Sequence, residues 1–208
     1  MPGFTSFCRL PESSWRPLID RIQGKKAKFP FEKKRLQRIA GPKPKSAIEA
    51  EMVGGNLTVW TTMVGTPDQP ESKGKILFLE DVDEGFYRID RYLNQLMDSG
   101  ALNGTRAILL GTWSSCRDST GSGLAQMPKN ERERKRMIYN PRTSDLSPLR
   151  RTLDLDEGLA EIFGEIGDRL DIPVYAGLPV GHGPDGQTPL PLYLRYRLEP
   201  TGKLQLKR

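Results

Sequence analysis

The stretch that decides the fold contains KILFLE (75–80), YRIDRYLNQLMDSGAL (87–102) and RAILLGTW (106–113). The first and third segments are short continuous apolar runs, which are typical of strands buried on both faces of a sheet. The segment between them repeats apolar residues at helical spacing and reaches a helix-ending glycine at Gly100. Strand, helix and strand in this order predict a right-handed βαβ unit in a parallel sheet.

The segments after this unit extend the same architecture. DEGLAEIFGEIGDRLDIP (156–173) has helical apolar spacing, and VYAGLPVGHG (174–183) indicates a third strand followed by a glycine-rich turn. The alternating residues 190–206 predict a terminal hairpin that turns at 200–202. We therefore expect an α/β fold in which a small, mostly parallel sheet has flanking helices and a C-terminal hairpin.

Two further elements precede the unit. ESSWRPLIDRIQ (12–23) spaces its apolar side chains as a short amphipathic helix does. In GGNLTVWTTMVGTP (54–67), Gly54 and Gly55 predict a flexible loop, and Asn56 can cap a helix. The threonine and valine residues of that segment also favour a strand, so both structures stay open from the sequence alone.

Charge is concentrated in one segment of the chain. The protein has 208 residues and a formal net charge of +6. Between residues 25 and 45 there are nine Lys or Arg residues and a single acid, Glu32. Prolines interrupt any long helix there, so we interpret 25–50 as a basic linker or surface arm. A second polar block, about 117–151, is interpreted as an insertion. Neither block interleaves aromatic residues as nucleic-acid-binding modules do, so we interpret both as solvated surface rather than a nucleic-acid site.

Composition excludes several classes of protein. No run approaches the roughly 20 apolar residues of a membrane helix, and residues 1–12 lack the apolar centre of a signal peptide. We therefore expect a soluble, cytoplasmic protein without membrane contact. Two cysteines, Cys8 and Cys116, are too few for a disulfide framework or a four-cysteine zinc site. Because His182 is the single histidine, any imidazole chemistry depends on it.

The residues that can carry chemistry lie where the predicted strands end, because ligands of open α/β sheets bind beyond the carboxyl ends of the strands. The first strand ends at Glu80-Asp81, the second at Thr112-Trp113, and the third at Gly181-His182-Gly183, where small glycines flank the histidine and suit its presentation at a cleft. A carboxylate that accepts the Nδ1 proton of an imidazole fixes its tautomer and leaves Nε2 free to take a proton from a nucleophile. Glu80 and His182 are therefore a candidate catalytic dyad. The alternatives are a capping or salt-bridged carboxylate and a structural histidine.

Six motifs occur in this order along the chain: GGNLTV (54–59), GTP (65–67), GKILFLEDV (74–82), YRIDRYLNQL (87–96), ILLGTW (108–113) and PVYAGLPVGHGPDGQTPLPL (173–192). Together they resemble the serine-type LD-carboxypeptidase family, which includes murein tetrapeptide carboxypeptidases and microcin self-immunity proteins. The resemblance implies that Glu80 is the triad acid and His182 the triad base, that no metal or cofactor takes part, and that a homodimer is to be expected. We also expect Asn56 and Trp113 to contact the substrate.

The family's nucleophilic serine is not identified in this chain. In the family it lies in a glycine–x–serine–aspartate turn of an N-terminal flavodoxin-like domain, and no such turn precedes the FLED motif. We therefore expect residues 1–24 to be a remnant of that domain and 51–208 to be an LD-carboxypeptidase-like C-terminal domain. Ser114, Ser115 and Cys116 follow the second strand and are the local alternatives, although they lack the nucleophile-elbow pattern.

The function that the resemblance predicts is hydrolysis of the peptide bond to the terminal D-alanine of a murein tetrapeptide, in cell-wall recycling. Without the serine domain, we expect the chain alone to have little or no hydrolase activity. Two alternatives stay open: a non-catalytic binding module that uses its basic segments on an anionic partner, and a pseudoenzyme that binds peptide at the sheet edge. Salt dependence distinguishes the first, because contacts to phosphates weaken steeply as salt rises.

Overall fold

The computed structural model of the chain describes residues 12–116, 157–182 and 188–207. The helices are α1 (Glu12–Ile22), a 3-10 helix (Pro30–Lys33), α2 (Leu57–Thr62), α3 (Phe86–Asp98) and α4 (Glu157–Leu170). The strands are β1 (Gln37–Ala40), β2 (Ile48–Asn56), β3 (Ile76–Val82), β4 (Ala107–Ser114), β5 (Val174–Ala176), β6 (Arg195–Leu198) and β7 (Leu204–Leu206). The predicted helices α1, α3 and α4, the buried strands β3 and β4, and the terminal hairpin β6–β7 are all formed.

These strands form one sheet in the order β1-β5-β4-β3-β2-β6-β7. The four central strands, β5, β4, β3 and β2, run parallel, whereas β1, β6 and β7 join antiparallel at the two sides. Helix α3 connects β3 to β4, which confirms the predicted βαβ unit. The carboxyl ends of the parallel strands therefore meet at one edge of the sheet, where a ligand site is expected.

The sheet is curled, so that the chain before β1 reaches the turn before β7. The backbone N–H of Leu36 donates to the carbonyl oxygen of Gly202 over 2.8 Å, and Arg35 forms an isolated bridge with Lys203. The inner core, enclosed by this curl, contains Phe29, Phe31, Phe78, Leu109 and Tyr196 among other residues. The outer core, which helices α2, α3 and α4 cover, contains Leu57, Leu79, Leu93, Leu110 and Phe163 among other residues.

The interpretation of residues 25–50 as a linker or surface arm is wrong. Phe29 and Phe31 are buried in the inner core, with ring centroids 5.4 Å apart. Strand β1 pairs with β5, and β2 begins at Ile48, before the predicted domain boundary at residue 51. The lysines and arginines of this segment are accompanied by apolar residues that the sheet buries. The apolar residues of this segment, rather than its charged ones, decide where it packs.

Gly54 and Gly55 belong to β2 rather than to a flexible loop, which corrects a second prediction. Gly54 pairs with Phe78 and has a φ of +138°, in the region that favours glycine. A Cβ atom at Gly54 would lie 1.8 Å from the backbone oxygen of Phe78, so the close approach of β2 to β3 requires glycine. Helix α2 then begins directly after β2 with Asn56 as its cap, and the alternative strand is not formed.

Two sequence predictions concern residues outside the described ranges. These are the polar insertion, about 117–151, and the glycine-rich turn that follows His182. The third predicted strand is shorter than expected, because β5 ends at Ala176 and residues 177–182 continue beside β4 without strand structure. Within the described ranges, no helix combines the length and apolar character needed to cross a bilayer.

Candidate active site

Glu80 lies near the carboxyl end of β3, on the inner side of the curled sheet. Side chains alternate along a strand, and Phe78 packs in the inner core whereas Leu79 packs in the outer core. Glu80 therefore points to the same side as Phe78. The residue is only 5% exposed. Because a carboxylate shielded from water needs a hydrogen-bonding partner, the residue that meets Glu80 defines the site.

His182 is that partner, and it reaches Glu80 from the segment after β5. Its Nδ1 atom lies 2.8 Å from Oε2 of Glu80. A carboxylate at this distance accepts the Nδ1 proton, which leaves Nε2 as the proton-accepting nitrogen of the neutral ring. The His182 side chain is 42% exposed, and none of the described residues bonds to its Nε2. The arrangement can therefore present a base to a reactant that arrives from outside.

Gly181 allows the histidine to approach the carboxylate. Its φ is +119°, a conformation that side chains other than that of glycine rarely adopt. A Cβ atom on Gly181 would lie 2.5 Å from Oγ1 of Thr112 and 2.8 Å from Oε2 of Glu80. Any larger residue would push the His182 segment away from β4 or displace the Glu80 carboxylate.

Ser114, Ser115 and Cys116 were the local alternatives for the nucleophile. The Ser114 hydroxyl donates to the backbone carbonyl of His182 rather than to the imidazole ring. Ser115 is exposed at the end of β4 and has a φ of +59°. Cys116 is buried in the outer core, and burial raises the pKa of its thiol, which lowers the fraction of reactive thiolate. Their geometry favours none of them as a nucleophile for His182.

Asn56, a predicted substrate contact, is engaged within the protein. Its Oδ1 accepts the backbone N–H of Val59, which caps α2, and its Nδ2 donates to Oδ1 of Asp81 over 2.7 Å. Asp81 also accepts the backbone N–H and the hydroxyl of Thr58, at 3.0 and 2.9 Å, and the backbone N–H of Val82 at 2.8 Å. This network fastens the end of β2 and the start of α2 to β3. A substrate contact by Asn56 stays a prediction.

Trp113, the other predicted substrate contact, is not brought to the dyad. It is 7% exposed, and its ring packs in the outer core against Phe163 with centroids 5.0 Å apart. Because Glu80 points to the inner side, the sheet separates the indole from the dyad. The indole Nε1 has no hydrogen-bond partner among the residues that the structure describes. This geometry gives the predicted substrate contact no support.

The sequence did not predict two sets of contacts in the site, those of Asp81 with Asn56 and Thr58 and those of Gly181 with Thr112 and Glu80. Asp81 directly follows Glu80, but its partner Asn56 is 25 residues away, and no spacing rule links residues so far apart. The position of Gly181 directly before the single histidine indicated a role in presenting the ring. The steric need for glycine depends on Thr112 and Glu80, which are distant in the sequence. In the part of the chain that the structure describes, no three His, Cys, Asp or Glu residues cluster as a metal site.

The fold and the site together define a class of protein. A mostly parallel sheet holds a carboxylate and an imidazole beyond the carboxyl ends of its strands, in the relative geometry of the acid and base of a catalytic triad. This is the arrangement of α/β enzymes that transfer acyl groups, with the nucleophile supplied from another part of the site.

The comparisons relate part of the chain to a known domain. Residues 49–146 match the LD-carboxypeptidase C-terminal domain, which confirms the resemblance of the motifs to that family over this part of the chain. The murein tetrapeptide carboxypeptidase of Pseudomonas aeruginosa is 31% identical over 149 residues, which are 71% of this chain and 37% of that protein.

Solved structures have the same fold. The muramoyltetrapeptide carboxypeptidase from Oxalobacter formigenes superposes with a TM-score of 0.57 and 29% identity, over 94% of this chain and 54% of that one. The microcin C7 self immunity protein MccF superposes with a TM-score of 0.52 and 22% identity, over 79% of this chain and 40% of that one. This chain therefore spans about half the length of the Oxalobacter enzyme, and less than half of the Pseudomonas enzyme and of MccF.

Proposed function

We propose that this chain supplies the acid and the base of a serine-type LD-carboxypeptidase site. One observation carries the proposal: Nδ1 of His182 lies 2.8 Å from a buried Glu80 oxygen while the ring itself stays exposed. The buried carboxylate fixes the orientation of the imidazole, and the exposure of the ring makes Nε2 accessible. In this proposal His182 is the general base and Glu80 the residue that orients it.

The proposed reaction is acyl transfer. A serine hydroxyl gives its proton to Nε2 of His182 while its oxygen attacks the carbonyl carbon before the terminal D-alanine. Glu80 stabilises the imidazolium that forms, and the imidazolium then protonates the departing amine, so that D-alanine leaves and an acyl-enzyme remains. Water hydrolyses the acyl-enzyme with His182 again acting as the base.

The serine in this proposal comes from outside the described residues. The family resemblance implies a glycine–x–serine–aspartate turn, and Ser114, Ser115 and Cys116 are not presented to the His182 ring. We therefore propose that the 208-residue chain alone has little or no hydrolase activity. The same site without a nucleophile would bind peptide without cleaving it, which is the pseudoenzyme alternative.

The proposed substrate is a murein tetrapeptide with a terminal D-alanine, met in the cytoplasm during cell-wall recycling. The names of the Pseudomonas and Oxalobacter relatives support this substrate class. By family resemblance, we also propose that the protein acts as a homodimer.

A release assay tests the activity part of the proposal. The purified chain is incubated with murein tetrapeptide, and D-alanine is measured by chiral chromatography, with His182→Ala as the matched control. We expect no release above this control. Release by the unmodified chain that disappears in His182→Ala would overturn the proposed inactivity and would show that the chain contains its own nucleophile.

A binding assay tests the substrate part. Because the chain has one histidine, imidazole nuclear magnetic resonance (NMR) signals report on His182 alone. The tetrapeptide is expected to shift these signals, and the same peptide without its terminal D-alanine is expected to shift them less. If neither peptide at millimolar concentration changes the signals, the murein-peptide assignment is wrong.

A further inference from the structure

We propose that Ser114 is a positioning residue that holds His182 in contact with Glu80. The inference rests on the proposed dyad but assigns a residue that the motifs did not. It also replaces the interpretation of Ser114 as a local nucleophile, because its hydroxyl donates to the backbone carbonyl of His182 and not to the ring.

The segment that carries His182 runs alongside β4 and is fastened to it at alternate residues. The backbone N–H of Leu178 donates to the carbonyl oxygen of Leu110 over 3.2 Å. Two residues further along β4, the backbone N–H of Thr112 donates to the carbonyl oxygen of Val180 over 2.8 Å. The next contact in this series is between Ser114 and His182, and there a side-chain hydroxyl takes the place of a backbone donor.

Ser114 is also bonded to the chain that follows β3. The carbonyl oxygen of Ser114 accepts the backbone N–H of Asp83 over 2.9 Å, so the backbone of Ser114 is tied to the chain after β3. Ser115 then has a φ of +59°, where β4 has ended. With the strand finished, the hydroxyl of Ser114 makes the last attachment of the histidine segment to β4.

Ser114 consequently links the His182 segment to the chain that follows Glu80. On one side it binds Asp83, three residues after Glu80, and on the other side it binds His182 itself. Gly181, directly before the histidine, can adopt backbone conformations that other residues rarely adopt. Without the Ser114 bond, rotation at Gly181 would let the imidazole leave the carboxylate, although the main-chain bonds at Leu178 and Val180 would remain.

Imidazole NMR of the 15N-labelled chain, prepared without a histidine tag, tests this role. In neutral His182 we expect the proton on Nδ1, because Glu80 accepts it, and the two ring nitrogens then have different 15N shifts. Ser114→Ala is expected to lower the ratio of the Nδ1–H to the Nε2–H form about fivefold, as expected for losing one hydrogen bond. Ser114→Thr keeps the hydroxyl and should retain the ratio of the unmodified chain.

Ser72→Ala is the matched control for a merely structural effect. The buried Ser72 hydroxyl donates to the carbonyl oxygen of Ala101 over 2.6 Å, before β3 and away from the dyad. This variant should lower the stability without changing the ratio of tautomers. Equal ratios in Ser114→Ala and the unmodified chain would overturn the proposal, as would a loss in Ser114→Thr equal to that in Ser114→Ala.

A further variant, Glu80→Gln, separates the two proposals. If Glu80→Gln changes the tautomer ratio and Ser114→Ala does not, the dyad stands and the role of Ser114 is refuted. If neither variant changes the ratio, the dyad itself is refuted, and the role of Ser114 with it.

Discussion

Glu80 and Asp81 are neighbours in the chain, are both almost completely buried, and have opposite environments. Glu80 points to the inner side of the sheet, where its Oε2 meets one ring nitrogen of an exposed histidine. Asp81 belongs to the helix-covered side, where it accepts four hydrogen bonds: from Asn56, from Val82, and from the backbone and the hydroxyl of Thr58.

This difference separates a residue that can serve chemistry from one that serves the fold. The oxygens of Asp81 are occupied by groups of the protein itself, so Asp81 fixes the ends of β2 and β3 and the start of α2. Glu80 instead forms its hydrogen bond with the His182 ring, which a reactant can reach. Substitutions on the Asp81 side should therefore affect stability first, and substitutions on the Glu80 side should affect the state of His182 first.

Asp81→Ala is expected to have the largest effect on stability. The change leaves several donors without an acceptor, including the partly buried backbone N–H groups of Thr58 and Val82, and hydrogen bonds to a charged group are worth more than neutral ones. We expect the free energy of unfolding, measured in urea, to fall by about 3–4 kcal/mol. Asp68→Ala, at an exposed residue with no such network, should change it by less than about 0.5 kcal/mol. A loss below about 1 kcal/mol in Asp81→Ala would contradict the anchoring role.

Gly181→Ala is expected to affect both stability and the dyad. The new Cβ atom would overlap Oγ1 of Thr112 and approach Oε2 of Glu80, at a φ that alanine does not favour. We expect the free energy of unfolding to fall by about 1–3 kcal/mol. The His182 imidazole signals should also move toward those of Glu80→Gln.

Gly164→Ala is the matched control for this prediction. Gly164 lies in α4, and a Cβ atom there meets nothing within 4 Å. Alanine is the better helix former, so we expect stabilisation by about 0.5–1 kcal/mol and unchanged His182 signals. If Gly181→Ala changes neither the stability nor the imidazole signals, Gly181 is not packed closely against Thr112 and Glu80.

The reactivity of the Cys116 thiol reports on the helix-covered side of the sheet without a substitution in that core. In a Cys8→Ser variant Cys116 is the single thiol. Burial raises the pKa of the Cys116 thiol, so at a given pH near 8 less thiolate is present than in an unfolded chain. We expect a disulfide reagent to react at least about tenfold more slowly with the folded protein than with the protein in urea. Equal rates would place Cys116 on an accessible surface.

The sequence was sufficient for the central strands, because β3, α3 and β4 carry their own periodicity. It was not sufficient for β1 and the first part of β2. Their neighbours in the sheet are distant in sequence, and the many lysines and arginines of residues 25–50 concealed apolar residues such as Phe29 and Phe31. The packing of these phenylalanines depends on how the sheet curls, which local pattern does not encode.

The same limit applies to the candidate site. Glu80 and His182 could be paired from the sequence, because both follow apolar runs that a parallel sheet brings to one edge. Trp113 also follows an apolar run at this edge, but its side chain points to the other side of the sheet. Alternation along β4 decides the side, and the pairing of β4 with β3 is irregular between Leu110 and Trp113. The contacts of Ser114 and Asp81 join distant segments and needed the structure.

The tautomer of His182 in the unmodified chain and in Glu80→Gln tests the central claim most directly. The substitution keeps the size of the side chain, so we expect a smaller loss of stability than in Asp81→Ala, about 1 kcal/mol. The account predicts that neutral His182 carries its proton on Nδ1 in the unmodified chain and shifts toward Nε2 in Glu80→Gln. The same tautomer ratio in both proteins would contradict it.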